Sequence, residues 1–571
     1  MSTGRSRVRH YVAVIALMAG FAVVLFQLVN LHVLQAAKLS LKADRQHRKV
    51  VHVEGARGTI VDRNGKVLAM NVEVPSVFGM PALLGNPTEL ARDLATVLHV
   101  RPGDIKKKLQ SDRGFVWIAR KLDPEQGRKV NSLRQQGLGV IMERRRYYPK
   151  GPMLSHVLGF AGIDNQGLEG LELQYESYLR GKKQMVVLQR DGLGRVVFPT
   201  RSEPQLPVTG HSTTLTIDEV IQYIAEKELE DAVTKTGAKR GVLIIMEPRT
   251  GAVLAMALTP RFDPNAVRGL TPHRWRNRAL TDVYEPGSTM KMFLAAAALE
   301  EGTASSETMI YGENGRMTVA NTVIHDHDES GWMTFTQVIQ RSSNIGAVKI
   351  AMSVGEERLY RYLRAFGFGD RTEIDLPGES AGLVKAPPRW GRRTLASMAI
   401  GQEIAVTPIQ LVTAAAAIAN GGWLMKPFVV SEIREASGKI VFQATPQIRR
   451  RPVSPETIQT LGHILEGAVA HGTGTRASVL GYRVAGKTGT AQKIDPETGS
   501  YSATKFVASF VGYVPAEDPR LTILVAIDEP RTESWGGAVA APVFRRVAER
   551  VLRYLEVPVQ GPIKLAMATR N

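Results

Sequence analysis

Residues Tyr11 to Ala37 contain no Asp, Glu, Lys or Arg, and their apolar centre runs from Tyr11 to Val29 and continues weakly through Leu31, Val33 and Leu34. About 20 such residues cross a bilayer core as a helix. A cleaved signal peptide has an apolar core of about 7–15 residues followed by an Ala-x-Ala-like site. This stretch is longer and no such site follows, so it predicts an uncleaved single-pass anchor. Arg5, Arg7 and Arg9 precede it, which keeps the N-terminus cytoplasmic and sends everything after about residue 40 across the membrane. Lys38 to Val51 is polar, basic and helix-compatible, and reads as a stalk. In Arg57–Ala69 two β-rich runs flank Asn64-Gly65, which predicts a hairpin. Thr88–Leu98 and Pro124–Gln136 have helical spacing. Phe198–His211, with three prolines and one glycine, reads as a linker.

From Thr216 the pattern changes. Asp218 caps an amphipathic helix predicted over Glu219–Val233. Gly241–Glu247 and Ala252–Leu258 read as strands joined by the turn Pro248–Gly251. An apolar helix follows Ser288. Further strands are expected at Tyr482–Ala485, Phe506–Tyr513 and Leu521–Ile527, then a helix over Pro542–Leu555. Strands at both ends with helices between them predict an α+β domain, an antiparallel sheet flanked by helices. The tail after Glu556 reads as loose.

Composition narrows the chemistry. The 571 residues are 44% hydrophobic and 22% charged, a globular balance, with a formal net charge of +19. No cysteine is present, which excludes disulfides, a thiolate zinc site, an iron–sulfur cluster and a cysteine nucleophile. The positive charge is dispersed, with only short runs such as Arg144–Arg146 and Arg449–Arg451, and no nucleic-acid-binding motif accompanies it. Anionic lipid or an acidic polymer suits it better than nucleic acid.

The candidate nucleophile lies in Glu285-Pro-Gly-Ser-Thr-Met-Lys291. Ser288 opens the apolar helix and Lys291, three residues on, returns to the same face. A serine hydroxyl needs a base within reach, and a lysine serves if burial lowers its pKa. Ser502-x-x-Lys505 repeats the spacing, and Lys-Thr-Gly occurs at both Lys235 and Lys487. Order decides between them. Ser288 is followed 54 residues later by Ser342-Ser343-Asn344, the one Ser-x-Asn in the chain, and Lys487-Thr488-Gly489-Thr490 comes 143 residues after Asn344. This set in this order marks penicillin-binding proteins and class A β-lactamases. The triplet at Lys235 precedes the nucleophile, and Ser502 lacks the Pro-Gly turn and the apolar helix.

With these motifs the chain resembles a class B penicillin-binding protein of the septal, FtsI-like group over nearly its whole length. Arg57–Gly65, Arg146-Tyr-Tyr-Pro149, His156 with Gly159, and Gly167–Glu172 are similar to that family's non-catalytic module. Leu215–Asp218 with Gln222, Arg276–Ala279, Asp528-Glu-Pro530 and Ala541–Phe544 are similar to its transpeptidase domain. One departure is Gly401-Gln-Glu403, where a glycine is usual in place of Glu403. The resemblance implies a cytoplasmic tail over 1–10, a transmembrane signal anchor over 11–34 and a stalk over 35–50. A mostly β pedestal, like a dimerisation module, then covers 51–205, the transpeptidase domain 206–556 and a flexible tail 557–571.

It also implies roles. Ser288 attacks the penultimate D-Ala carbonyl of a stem pentapeptide and Lys291 takes its proton. Ser342 relays a proton to the leaving amine, Asn344 holds the donor amide and Lys487 supports the field. Thr488, Gly489 and Thr490 grip the substrate carboxylate, and the backbone N–H groups of Ser288 and Thr490 form an oxyanion hole. The implied partners are peptidoglycan stem peptides, lipid-linked glycan strands, β-lactams as covalent inhibitors, a septal glycosyltransferase of the SEDS family and other divisome membrane proteins. No metal and no cofactor is implied. The alternatives are an elongation-type or sporulation enzyme, a hydrolase, or an idle β-lactam-binding scaffold or sensor of the same fold. Against hydrolysis, the Glu-x-x-Leu-Asn stretch associated with class A β-lactamases is absent. His325-Asp-His-Asp328 reads as a solvated acidic loop, too poor in ligands for zinc. The arginine runs read as solvated or module-interface charges, and His156 as a packed residue.

Overall fold

The computed structural model describes residues 3–190, 196–197, 209–495 and 497–559, without side chains for 3–6, 43–54, 183–190 and 196–197. Two units are present, residues 1–56 with 181–209 and residues 57–180 with 210–571.

In the first unit, helix Thr3–Val29 passes through a π-turn at Asn30–Leu34 into helix Ala36–His47. At about 1.5 Å per residue the first helix exceeds the roughly 30 Å of a bilayer core. Ile15, Phe21 and Phe26 are about two-thirds exposed. From Tyr11 onward the helix is apolar on every side and exposed, which fits a single-pass membrane anchor. The expected stalk is helical only to His47. Strand Arg48–Glu54 follows and pairs antiparallel with Lys183–Arg190, Arg48 opposite Gln189. Val50, Val51 and Val53 favour this extended form. Most of the expected linker lies outside the described residues.

In the second unit the hairpin forms as expected. Ile60 faces Ala69, and Gly65 takes φ +79° in the turn. The long strand Val67–Gly79 then pairs with Val116–Ala119 and with Leu138–Tyr147. Ile60–Val61 also pairs in parallel with Ser212–Leu215, which pairs with Val430–Arg434. A boundary near residue 205 therefore does not separate two packed bodies, because one sheet takes strands from both sides of it. Helix Pro124–Ser132 ends four residues before the expected Gln136, and Arg134 already has φ +46°.

Arg146 is not a solvated charge. It is 5% exposed, beside Arg57 and a fully buried Glu172. Arg146 Nε donates to Glu172 Oε1 at 2.5 Å, Tyr148 OH donates to the same oxygen at 3.2 Å, and Arg57 Nε donates to Oε2. Burial alone would raise the Glu172 carboxyl, but the two guanidiniums overcome it and hold it below its ordinary value. Breaking a buried pair leaves uncompensated charge and costs roughly 3–5 kcal/mol. Glu172→Ala is expected to lose about that much in denaturant titration of the full chain. An unchanged midpoint would show that the network contributes nothing to stability.

A five-stranded sheet runs Val253–Thr259, Arg240–Met246, Leu521–Asp528, Tyr501–Val514 and Ala485–Ile494, antiparallel throughout. Alternate residues of its strands point to opposite faces. Leu243, Ile245 and Val525 pack with Ile221 of helix Glu219–Thr236 and with Phe544 and Val547 of helix Ala541–Tyr554. Ile244, Met246 and Leu524 pack with Phe293 and Leu411 on the other side. Both faces are covered, so the strands read as continuous apolar runs. Helix Glu219–Thr236 is capped by Asp218, which accepts from Val220 N at 2.9 Å. The strand expected at Tyr482–Ala485 begins instead at Ala485, because Tyr482 closes a turn onto Val479 O. Val557 departs from the expected loose tail: it is buried, and its carbonyl accepts from Tyr482 OH at 2.6 Å. Residues 560–571 lie outside the described residues.

Candidate active site

Pro286-Gly287 ends the segment before the apolar helix, and Gly287 takes φ +56°. Residues Gly287–Met290 form a 3-10 turn that runs into helix Lys291–Glu300. In a 3-10 turn residues i and i+3 eclipse, so Ser288 and Lys291 share one side. Thr289 Oγ1 donates to Pro286 O at 2.8 Å and pins the turn. Ser288 is half-buried and its side chain makes no hydrogen bond among the described residues, whereas Lys291 is fully buried.

Lys291 Nζ donates to Ser342 O at 2.6 Å, to Asn344 Oδ1 at 2.8 Å and to Ser342 Oγ at 3.3 Å. Ser342 takes φ +63° at the end of helix Phe335–Arg341, and Asn344 opens helix Asn344–Val354. The tight break between the two helices aims both side chains at the lysine. Lys487, also fully buried, donates to the same Ser342 Oγ at 2.9 Å. One hydroxyl thus lies between two amines. Burial pushes the Lys291 ammonium down to about 7, with Asp326 opposing. Burial lowers Lys487 well below its ordinary range, and the neighbouring Lys291 charge lowers it further.

Lys487–Thr490 sit on Ala485–Ile494, an edge strand of the five-stranded sheet. This edge lies directly against the Ser288 turn. A Cβ on Gly489 would come within 2.9 Å of Pro286 O, and one on Gly287 within 2.9 Å of Thr490 O. The two glycines allow the backbones of Ser288 and Thr490 to approach. Thr488 Oγ1 and Thr473 Oγ1 are hydrogen-bonded at 2.8 Å, and Thr490 Oγ1 accepts from Gly536 N at 3.1 Å. The structure therefore brings Ser288, Lys291, Ser342, Asn344, Lys487, Thr488, Gly489 and Thr490 together.

The duplicate motifs are elsewhere. Lys235 lies in the last turn of a helix that Gly237 caps. Ser502 Oγ accepts from Lys505 N at 3.2 Å, and Lys505 Nζ pairs with Asp495 at 3.4 Å. The reading of His325–Asp328 needs correction at Asp326. Its carboxylate accepts from Asn344 N, from Ile345 N at 3.1 Å and from Ser343 Oγ at 2.5 Å, and His325 O accepts from Asn344 Nδ2 at 2.9 Å. Asp326 therefore holds the start of the Asn344 helix, where a negative charge meets free N–H groups. His327 and Asp328 remain about three-quarters exposed.

Glu285 is a second residue that sequence reasoning passed over. Its Oε1 accepts from Glu403 N at 2.9 Å and from Tyr501 OH at 3.0 Å, tying three segments beside Ser288. Burial raises its carboxyl. Glu403 adopts φ +57°, the conformation that a glycine takes without strain, and its carboxylate accepts from Thr394 Oγ1 at 2.8 Å.

Comparison with known proteins gives the family. The family described as the penicillin binding protein transpeptidase domain matches residues 241–549, and the penicillin-binding protein dimerisation domain matches residues 52–215. Stage V sporulation protein D of Bacillus subtilis is 36% identical over 94% of this chain and 85% of its own length. The peptidoglycan D,D-transpeptidase FtsI of Escherichia coli is 31% identical over 95% of this chain and 91% of its own. Penicillin-binding protein 3 of Mycobacterium tuberculosis, solved with aztreonam, superposes with a TM-score of 0.71 at 30% identity, covering 90% of this chain and 99% of that one. The chain belongs to the class B penicillin-binding proteins and carries their transpeptidase domain.

Proposed function

We propose that this D-Ala-D-Ala transpeptidase works through Ser288 as nucleophile and a neutral Lys291 as base, and that it cross-links peptidoglycan at the division septum. The observation that carries the mechanism is the Lys291 amine, fully buried one turn from Ser288 and bonded to both Ser342 and Asn344. A neutral amine has two N–H groups for its two short acceptors and one lone pair for a proton. Hydrogen bonds to a nucleophile are often long before substrate binds, and the unbonded Ser288 hydroxyl is free to turn toward that lone pair.

Ser288 Oγ attacks the carbonyl carbon of the penultimate D-Ala and gives its proton to Lys291. The oxyanion forms at the N–H groups of Ser288 and Thr490, where one donor contributes about 2.7–4 kcal/mol in comparable enzymes. The C–N bond then breaks. The leaving D-Ala amine takes its proton from Ser342, which is resupplied from Lys291 and supported by Lys487. An acceptor amine attacks the acyl-enzyme, loses a proton along the same path, and restores the Ser288 hydroxyl. Thr488 and Thr490 hold the substrate's terminal carboxylate, Gly489 between them lets their strand lie against the Ser288 turn, and Asn344 orients the donor amide. A β-lactam acylates the same oxygen.

Exposing the full chain to a penicillin and reading its intact mass tests this. A stable adduct mapped to Ser288, together with cross-linked product from a pentapeptide donor and an amine acceptor, is expected. No adduct on folded protein would overturn the assignment, and an adduct that vanishes within seconds would make the chain a hydrolase.

The septal role draws on the likeness to FtsI, and a SEDS-family glycosyltransferase with other divisome membrane proteins are the partners it brings. A sporulation role is the second reading, favoured by the 36% identity to stage V sporulation protein D. Localisation of a fluorescent fusion separates them, with a midcell band in dividing cells expected and signal confined to developing spores contradicting it. Arg5, Arg7 and Arg9 support an N-terminus inside the cytoplasmic membrane and a catalytic domain outside.

A further inference from the structure

A second concave site lies outside the machinery described above. Thr303, Thr308, Tyr311, Trp332, Lys349 and Ser353 surround a cavity of about 310 Å³ whose floor is the buried pair Ile310 and Ile350. Trp332 is 67% exposed, which is unusual for an indole without a partner. Its ring lies 5.3 Å from that of Tyr311, tilted by 46°, and the Lys349 ammonium sits 5.6 Å over the tyrosine ring. Lys349 Nζ also donates to Tyr311 O at 2.8 Å and to Glu313 at 2.5 Å, which fixes the platform. The site therefore offers an exposed indole face, an apolar floor and a rim of hydroxyl groups.

We propose that this cavity binds an N-acetylated sugar of the glycan strand that bears the stem peptide. A pyranose has one face of C–H groups that lies against an aromatic ring, and an edge of hydroxyl and acetamido groups that pairs with a polar rim. Pockets of this composition bind ligands of that mixed character. Continuity with the catalytic site supports this occupant. Lys349 and Ser353 stand five and nine residues after Asn344 on one helix, about 7–14 Å along its axis. Trp332 belongs to the strand leading directly into the helix that ends at Ser342. Four stem residues separate the sugar from the reacting carbonyl, an extended length of about 14 Å. This inference rests on the transpeptidase reading for its choice of glycan, but the sugar site is testable without turnover.

The test uses the full chain in detergent and chitotetraose, a β-1,4-linked N-acetylglucosamine oligomer carrying no peptide. Saturation-transfer NMR on its acetyl methyl groups reads binding, and penicillin acylation at Ser288 reports that each variant is folded. Binding to the wild-type chain is expected, weakened at least about tenfold in Trp332→Ala and largely restored in Trp332→Phe, whose ring still offers a face. No signal with the wild-type chain, or equal binding by Trp332→Ala, would overturn the proposal and leave the platform to a protein partner. Failure of the wild-type chain to acylate would instead overturn the transpeptidase mechanism, with the sugar result standing by itself.

Discussion

Ser288→Ala should reduce peptide cross-linking by a factor on the order of 10⁶, the loss seen when an acyl-enzyme serine is removed while the rest of its site remains. The size follows from the absence of a substitute. Thr289 Oγ1 is committed to Pro286 O, and Ser342 Oγ is held between Lys291 and Lys487. Neither hydroxyl can reach the position that the 3-10 turn gives to residue 288. Because the Ser288 side chain is half-buried and makes no hydrogen bond among the described residues, the variant should unfold at the wild-type temperature. Turnover by single-turnover peptide assay and melting by calorimetry check the two halves. Residual activity within about a hundredfold of wild type would move the nucleophile elsewhere, since general-base loss alone accounts for about 10²–10⁴.

Lys291→Met should lower the acylation rate by about 10²–10⁴ and remove the pH dependence that the wild-type chain shows near neutrality. Methionine keeps an unbranched apolar stem, one atom shorter, and supplies no basic nitrogen for the Ser288 proton. It also strands Ser342 O and Asn344 Oδ1, the two acceptors that the amine serves at 2.6 and 2.8 Å. Some of the loss is therefore misplacement of Asn344. Lys291→Arg separates the two effects, because a guanidinium fills the same acceptors and stays charged at any accessible pH. Both variants inactive, with Lys291→Arg retaining the wild-type melting temperature, is the expected pattern. A Lys291→Arg variant with wild-type acylation would show that the amine is needed for position and not for proton transfer.

What was legible in the sequence follows the distance over which each interaction works. Ser288 and Lys291 are three residues apart and their geometry is a property of one turn, so the spacing alone carried it. Ser342, Asn344 and Lys487 became legible through order, since two spurious copies of the motifs had to be set aside. Four strands of the five-stranded sheet were visible as apolar runs, and their covering on both faces explains why no alternation marked them; the edge strand Ala485–Ile494 carries Lys487, Thr488, Gln492 and Lys493 and gave no such run. Asp326 was hidden because its role as a helix cap depends on a loop folding back 18 residues onto Asn344. Glu285 was hidden for the same reason on a larger scale, its partner Tyr501 being 216 residues away. Arg146 looked like part of a surface charge run until Glu172 and Arg57 closed around it. The first sheet crosses the boundary expected near residue 205 because a parallel pairing between Ile60 and Thr213 has no local signature.

In this mechanism a buried, neutral Lys291 activates Ser288. The most direct test is the rate of penicillin acylation of the wild-type chain between about pH 5 and 9, where the profile of the free enzyme reports the base. Burial places the Lys291 ammonium at about 7. The amine is the active form, so the rate should be flat above that point and fall about tenfold per pH unit below it. A midpoint near 7 that disappears in Lys291→Met is the expected result. A rate that is level across the range, or that rises only toward the ordinary lysine pKa near 10.4, would contradict the assignment of Lys291 as the base.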